Sequence, residues 1–125
     1  MLKITIMGKV PSKSSSRRII LNRRTGFPMV ISSAEVLQYE KDFTKQITGE
    51  HKNNFPEKTR LKVWITWFTD SFRQDLDAPA KAIFDNLQKA GVIFNDNRID
   101  EYSIVRKIDK VNPRAVITIT EVENG

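Results

Sequence analysis

Alternating apolar and polar positions predict several β-strands. Residues 2–7 alternate in the period-2 pattern of a half-buried strand. The alternation is strongest over residues 61–68, where one face is entirely apolar. Two Trp and one Phe in that segment suggest that its second face is also partly covered. Two further strands are predicted at residues 99–110 and 114–122, joined by a turn at residues 111–113.

A long loop and a helix are predicted between the first two of these strands. Residues 8–28 contain Pro, Gly, Ser and clustered Arg and are expected to form an irregular loop, in which residues 19–21 could form a short strand. Ser32 and Glu35 have the spacing of a capping box, which predicts the start of a helix. Apolar residues at helical spacing then continue to about Gly49.

A second helix is predicted from Pro79 to about Ala90. Proline is favoured at the first helical position, and Gly91 would end the helix because the position after the C-cap needs a positive φ. The stripe of apolar residues inside this helix is expected to be buried. Residues 92–94 are predicted to form a short strand, and residues 95–97 a tight polar turn.

The order of predicted elements is β, long loop, α, β, α, short β, β, β. We therefore expect an α+β fold, in which one small domain over residues 1–125 holds a mixed β-sheet with two helices packed on one face. A chain of 125 residues can bury a sufficient core without disulfides. No apolar run approaches the ~20 residues of a membrane span, and the alternating N-terminus is not a signal peptide. We expect a protein that does not span a membrane, and the absence of Cys suits a reducing cytosol.

Positive charge is concentrated near the N-terminus. Residues 1–34 hold seven Lys or Arg and no acid, whereas residues 35–125 hold fourteen basic and fifteen acidic groups. A block of unopposed cations favours a polyanionic partner, with nucleic acid first and an anionic membrane surface second. The alternative is a solvated basic arm that has no partner.

The residue types limit the chemistry. The chain has no Cys and only one His, His51. Thiolate metal sites, a Cys nucleophile and a conventional Ser-His-Asp triad are therefore excluded. If the protein is an enzyme, carboxylates must carry the reaction.

Three carboxylates and one ammonium form the candidate site. In an extended segment, Asp75 and Asp77 would point to the same side, with Leu76 turned into the core. Lys81 would lie one turn inside the following helix, and the helix and short strand could return the chain so that Asp96 lies near Asp75. Such a set suits Mg²⁺ bound at a phosphodiester. The alternative is ordinary helix capping by Asp77 and a plain turn residue at Asp96.

The candidate residues belong to a longer pattern. It consists of Asp75-Leu76-Asp77, Lys81-Ala82-Ile83-Phe84-Asp85, Leu87-Gln88-Lys89-Ala90-Gly91-Val92 and Asn95-Asp96. This combination resembles the RusA family of Holliday junction resolvases, which are small metal-dependent endonucleases of phages and prophages. The resemblance covers most of the chain and is most specific over residues 73–102.

The resemblance implies a RusA-like fold and a homodimer that binds four-way DNA junctions or other branched DNA. It implies cutting of symmetrically related strands with Mg²⁺ or Mn²⁺, without an organic cofactor, in the cytoplasm of a bacterial host. By position, Asp75, Asp77 and Asp96 match the family's catalytic acids and metal ligands. Lys81 matches its catalytic lysine.

Basic side chains are expected to hold DNA phosphates, which positions DNA without reading its sequence. The candidates are Lys13, Arg17, Arg18, Arg23, Arg24, Arg73, Lys89, Arg106 and Lys107.

Two other functions remain open. A branched-DNA-binding module without cleavage is favoured by Ala78-Pro79, which stands where the family usually has Asn and an aliphatic residue. The second open function is a protein-interaction domain whose basic arm is incidental.

Overall fold

The fold is given by a computed structural model, which describes residues 1–11 and 17–122, with only the backbone described for residues 17–20 and 29–32. The strands are β1 (Leu2–Met7), β2 (Arg17–Leu21), β3 (Pro28–Ser32), β4 (Leu61–Thr69), β5 (Ile99–Ile108) and β6 (Arg114–Glu121). The helices are α1 (Ala34–Gln46) and α2 (Ala80–Lys89), and short 3₁₀ helices lie at Gly49–His51 and Asp96–Arg98.

Four strands form a mixed sheet in the order β1-β6-β4-β5. β4 is parallel to β5 and antiparallel to β6, and β1 is antiparallel to β6. Parallel neighbours need a crossover connection, and α2 provides it between β4 and β5. The predicted α+β fold with a mixed sheet is confirmed, whereas the extent of the domain over residues 1–125 stays a prediction.

Both helices pack on the same face of this sheet. The alternation of β4 places one set of its side chains in the core, together with apolar residues from both helices. The main members are Leu61, Val63, Ile65, Trp67, Tyr39, Phe43, Ile83 and Leu87, each no more than 4% exposed. The predicted arrangement of two helices on one face is confirmed.

The opposite face of the sheet is partly covered by its own cations. Trp64 is 37% exposed there, and the Lys62 ammonium lies 4.6 Å from the centre of its ring. The Arg114 guanidinium lies 3.7 Å from the centre of the Phe68 ring. Such cation–π contacts shield aromatic faces from water, which agrees with the prediction of partial cover.

β2 and β3 form a hairpin where the sequence predicted a loop, and the short strand expected at residues 19–21 lies within β2. β2 and β3 pair as an antiparallel hairpin from Arg17↔Ser32 to Leu21↔Pro28, so the prediction of an irregular loop over residues 8–28 is partly wrong. Gly26 adopts a φ of +74° in the connecting turn, and its N–H donates to the Asn22 carbonyl at 2.7 Å. The Gly and Pro that indicated a loop therefore mark a hairpin turn and the start of β3.

The start of α1 also differs from the prediction. Ser33, not Ser32, is the N-cap, and its hydroxyl accepts a hydrogen bond from the Val36 N–H at 3.3 Å. Either of two adjacent serines has the right chemistry, and the backbone conformation selects the second. Glu35 consequently lies one position too early for a capping box.

The prediction of a strand at residues 92–94 is wrong. Gly91 has a φ of +81° and ends α2 as predicted, and its N–H donates to the Gln88 carbonyl at 3.1 Å. The Val92 N–H donates to the Leu87 carbonyl at 2.9 Å, which completes a Schellman motif. Val92 and Ile93 are buried because they close the end of the helix, not because they pair in a sheet.

β5 and β6 are consecutive in the chain, but β4 lies between them in the sheet. Residues 109–113 therefore cross the end of β4, where the Asp109 N–H donates to the Thr69 carbonyl at 2.8 Å. The Asp109 carboxylate accepts hydrogen bonds from the Asn112 and Val111 N–H groups and from the Arg114 guanidinium. The Asn112 N–H and then Arg114 hold the pKa of Asp109 below its usual value.

This crossing makes stability depend on pH. Because its pKa is lowered on folding, the ionised Asp109 contributes stability fully above the unfolded value of about 4, and that contribution is lost as the pH falls towards the lower folded value. Asp109→Asn should be less stable than the wild type at pH 7, and the difference should shrink at pH 3. Urea denaturation at both pH values measures it.

Glu57→Gln at an exposed loop position is the matched control and should leave the urea midpoint close to that of the wild type. A destabilisation of Asp109→Asn that is equally large at both pH values would contradict the role of the carboxylate.

Candidate active site

Asp75 and Asp77 lie on the connection between the end of β4 and the start of α2. Two turn hydrogen bonds shape this connection: the Ala78 N–H donates to the Asp75 carbonyl at 3.0 Å, and the Ala80 N–H donates to the Asp77 carbonyl at 3.1 Å. Both aspartates are exposed. Two exposed carboxylates, two residues apart in the chain, thus lie just before the N-terminus of a helix.

The segment around the aspartates is a turn and not an extended strand. Leu76 is 48% exposed, so the prediction that it turns into the core is wrong. Ala78, only 5% exposed, occupies the buried position instead, because the turn displaces the alternation expected of a strand. Lys81 is exposed in the first turn of α2, four residues after Asp77, which lies before the N-cap residue Pro79.

The connection that carries the aspartates is anchored in two places. At its start, the Lys9 ammonium donates to the Asp70 carboxylate at 3.0 Å and holds the pKa of that carboxyl below its usual value. Further along, the Arg106 guanidinium donates to the Gln74 carbonyl. Gln74 immediately precedes Asp75, so the second anchor acts next to the proposed ligand pair.

Arg106 reaches this position from β5. It pairs with Trp67 in the sheet register, and its guanidinium lies 5.6 Å from the Trp67 ring centre and 5.2 Å from that of Phe72. The Arg106 side chain is half-buried and contacts Phe72 and Gln74 in the segment that leads to Asp75. No local pattern around Arg106 indicates this contact, and the predicted DNA contact of Arg106 stays a prediction.

Asp96 lies at the opposite end of the sheet. The Asp96 N–H donates to Gln88 Oε1 at 3.1 Å, near the end of α2. The next carbonyl, that of Asn97, accepts from the Arg60 guanidinium at 2.8 Å, and Arg60 directly precedes β4. Asp75 instead follows the end of β4, and the ten residues of α2 span about 15 Å.

The short strand that was expected to return the chain towards Asp75 does not form. Within residues 1–11 and 17–122, no group of three or more His, Asp or Glu side chains is placed to hold a metal ion. Asp75 and Asp77 nevertheless fit a hard divalent cation in donor chemistry, since Mg²⁺ commonly binds through one or two carboxylates and keeps several waters. The role of Asp96 as a third ligand stays a prediction.

The basic residues predicted to contact DNA lie in different parts of the molecule. Arg23 and Arg24 are exposed in the turn of the β2–β3 hairpin. Lys13 lies outside the described residues, and the side chains of Arg17 and Arg18 are also outside the description. Of the five N-terminal cations predicted to contact DNA, Arg23 and Arg24 are therefore the ones whose exposure the structure establishes.

The remaining basic candidates lie nearer the sheet and α2. Arg73, two residues before Asp75, and Lys107 on β5 are both exposed. Lys89, in the last turn of α2, donates to the Glu40 carboxylate at 3.1 Å, which partly neutralises its charge.

No helix in the described ranges is long and apolar enough to cross a membrane.

Comparison with known proteins identifies the family. A family model described as endodeoxyribonuclease RusA matches residues 9–120. The chain therefore belongs to the RusA family, a family of DNA-cleaving hydrolases, and the predicted family and enzyme class are confirmed.

Individual relatives agree with the family model. The protein named crossover junction endodeoxyribonuclease rusA of Enterobacteria phage HK97 is 34% identical over 103 residues, which cover 82% of this chain and 84% of the relative. The protein of the same name from Enterobacteria phage 82 is 33% identical over 95 residues, covering 74% and 77%. A relative named RusA from Aquifex aeolicus is 43% identical over 47 residues, covering 38% and 37%.

The anchor at Arg106 can be tested by its effect on stability. Arg106→Gln removes a charged hydrogen-bond donor and two ring contacts, and should lower the free energy of unfolding by about 1.5–3 kcal/mol. It should also speed hydrogen exchange at residues 72–77, because these are the residues it restrains. Urea denaturation and hydrogen-exchange mass spectrometry measure the two effects.

Lys107→Gln, at the neighbouring exposed position of β5, is the control and should change neither quantity appreciably. Equal behaviour of the two variants would show that Arg106 does not hold the segment.

Proposed function

We propose that this protein is a divalent-metal-dependent endodeoxyribonuclease that resolves Holliday junctions and other branched DNA by phosphodiester hydrolysis. The observation that carries the proposal is the exposed Asp75-Leu76-Asp77 turn at the start of α2, within a chain of the RusA family. The relatives from phages HK97 and 82 are named crossover junction endodeoxyribonucleases, which supports junction DNA as the substrate.

Asp75 and Asp77 would hold Mg²⁺ or Mn²⁺, with Asp96 as a further carboxylate. When bound, such a cation polarises a phosphoryl oxygen, lowers the pKa of an attacking water and stabilises the leaving oxygen. Lys81, exposed in the first turn of α2, would stabilise the negative charge that develops on the phosphate. The buried residues of α2 fix that helix, and with it Lys81, against the sheet.

Binding of DNA is assigned to the exposed cations. Arg23 and Arg24 on the hairpin turn, with the other basic residues of the N-terminal segment, would hold backbone phosphates. Arg73, two residues before Asp75, would hold a phosphate close to the acids. We further propose a homodimer, because two copies supply two sites for the two strands of a symmetric junction.

A branched-DNA-binding module without cleavage is the second candidate. It is favoured by Ala78, which is buried at the entry to α2, where the family usually has an Asn that could reach the metal or DNA. Tight junction binding without products, with either Mg²⁺ or Mn²⁺ present, would favour this candidate over the first.

The cleavage test uses a synthetic four-way junction incubated with and without Mg²⁺. Asp75→Asn removes a proposed metal ligand and should slow cutting by roughly 100-fold or more, while junction affinity without metal stays within a few-fold of the wild type. Asp96→Asn should have a similar effect if Asp96 is a ligand. Product formation on denaturing gels and binding by fluorescence anisotropy measure the two properties.

Asp85→Asn is the matched control, since Asp85 lies on α2 but outside the proposed ligand set, and it should keep most of the cutting activity. Cutting by the wild type without any divalent metal, or undiminished cutting by Asp75→Asn, would refute the proposed mechanism.

The DNA-binding role of the hairpin can be tested by salt dependence. Each phosphate neutralised by a Lys or Arg contributes about 0.9 to the slope of log affinity against log salt concentration. The double variant Arg23→Gln/Arg24→Gln should therefore bind junctions more weakly, with a slope flatter by up to about 2. Anisotropy titrations at several salt concentrations measure both quantities.

The charge-matched control Lys45→Gln/Lys58→Gln changes two exposed lysines outside the hairpin. If this control flattens the slope as much as the hairpin variant does, the hairpin has no special role in binding.

A further inference from the structure

The turn of the β2–β3 hairpin exposes two large apolar side chains. Phe27 is 71% exposed and Leu21 is 65% exposed. Apolar residues scattered singly over a surface are normal, but these two lie at the two ends of one turn, which also carries the exposed Arg23 and Arg24. We call residues 21–27 the hairpin tip. It combines apolar surface with positive charge, and neither the core nor the proposed metal ligands account for its apolar part.

The positive charge of the hairpin tip is not neutralised within the part of the chain that the structure describes. Among the described residues, neither the Arg23 nor the Arg24 guanidinium has a hydrogen-bond or ion-pair partner. The surrounding sequence supplies no acid, since residues 1–34 contain no Asp or Glu. The tip is therefore complementary in charge to a polyanion such as the phosphate backbone of DNA.

The backbone of the hairpin tip is closed by its own hydrogen bonds. The Asn22 carbonyl accepts from the Gly26 N–H at 2.7 Å, and the Asn22 N–H donates to the Phe27 carbonyl at 2.9 Å. The Asn22 side-chain oxygen accepts from the Arg24 N–H at 2.9 Å, and the Phe27 N–H donates to the Thr25 hydroxyl at 3.3 Å. Both backbone groups of Phe27 are thus used within the turn. Its ring is presented from an ordered backbone, which lowers the entropy cost of binding a partner.

An exposed aromatic ring beside two cations fits the combination of base and phosphate that DNA offers. Bases stack on aromatic side chains whatever their identity, because every base has a π-face. Architectural proteins insert Phe or Leu side chains between base steps in this way. An anionic membrane would also attract the cations, but two apolar side chains on a turn give far less apolar surface than the face of an interfacial helix. DNA is therefore the better match.

We propose that the Phe27 ring stacks on a base pair at the branch point of the DNA, and that this contact makes the protein prefer branched to linear DNA. The inference rests on the proposed function, since it takes branched DNA as the substrate. Inside a linear duplex both faces of a base pair are covered by its neighbours, whereas a pair at a branch point is uncovered at lower cost. The ring contacts a base face of any identity, so Phe27 selects for the structure of the DNA and not for its sequence.

The test compares Phe27→Ala, which removes the ring, with Phe27→Tyr, which keeps it. Affinities for a four-way junction and for a linear duplex of equal length are measured by fluorescence anisotropy without metal, so that the DNA stays intact. The matched control is Phe94→Ala, because Phe94 is 63% exposed outside the hairpin. In a second arm, the photocrosslinker p-benzoylphenylalanine is placed at position 27 or position 94, and the crosslinked nucleotides of the junction are mapped on sequencing gels.

Phe27→Ala should bind the junction about tenfold more weakly than the wild type, with little change in its affinity for the duplex. Phe27→Tyr and Phe94→Ala should keep the wild-type ratio of the two affinities. The slope of log affinity against log salt concentration should be the same in Phe27→Ala as in the wild type, since no charge is removed. Crosslinks from position 27 should fall on the nucleotides that flank the branch point, and those from position 94 should not.

An unchanged affinity of Phe27→Ala for the junction, an equal loss of affinity for junction and duplex, or crosslinks spread along the arms would overturn the proposal. Unchanged junction binding combined with lost binding to phosphatidylserine-containing vesicles would assign the tip to a membrane, and a changed sedimentation mass would assign it to a second copy of the chain. Failure of the proposed cleavage is distinguishable, because binding and crosslinking need no metal. A wild type that never cuts, but whose preference for the junction is lost in Phe27→Ala, would refute the nuclease mechanism and support the contact of Phe27.

Discussion

The parallel pairing of β4 with β5 determines where every candidate catalytic group lies. Parallel neighbours require the chain to return from the end of one strand to the start of the next, and α2 makes that return. Asp75 and Asp77 consequently follow the end of β4, whereas Asp96 precedes β5 at the other end. The core contacts of α2 with the sheet fix both ends of the crossover. The separation of Asp96 from Asp75 and Asp77 thus follows from the order and direction of the strands, not from the local structure around each aspartate.

Local patterns were enough to predict the elements whose own side chains determine them. The alternation of β4, the apolar stripe of α2 and the left-handed Gly91 all appear as expected. The prediction of a strand at residues 92–94 was wrong because a run of three apolar residues is equally typical of a strand and of a buried helix end. The hairpin was missed because Gly26 and Pro28 are equally typical of loops. Spacing was enough to propose Asp75, Asp77 and Lys81 as site residues. It could not predict the contact of Arg106 with the Gln74 carbonyl, because that contact depends on the register between strands.

The basic residues divide into two groups with different physical roles. Arg60, Arg106 and Arg114 make hydrogen bonds or ring contacts that hold segments of the fold together, whereas Arg23 and Arg24 are exposed on a hairpin turn. The net charge of +6 therefore overstates the positive charge that is available to DNA.

The pairing of β1 with β6 has a consequence for how the protein is made. Leu2 lies opposite Ile119 in the register, so β1 has no neighbour in the sheet until β6 has been synthesised. β4 likewise needs both β5 and β6, which follow it in the chain. Contacts this far apart in sequence form late and slowly. We therefore expect the four-stranded sheet to assemble only after β6 has left the ribosome.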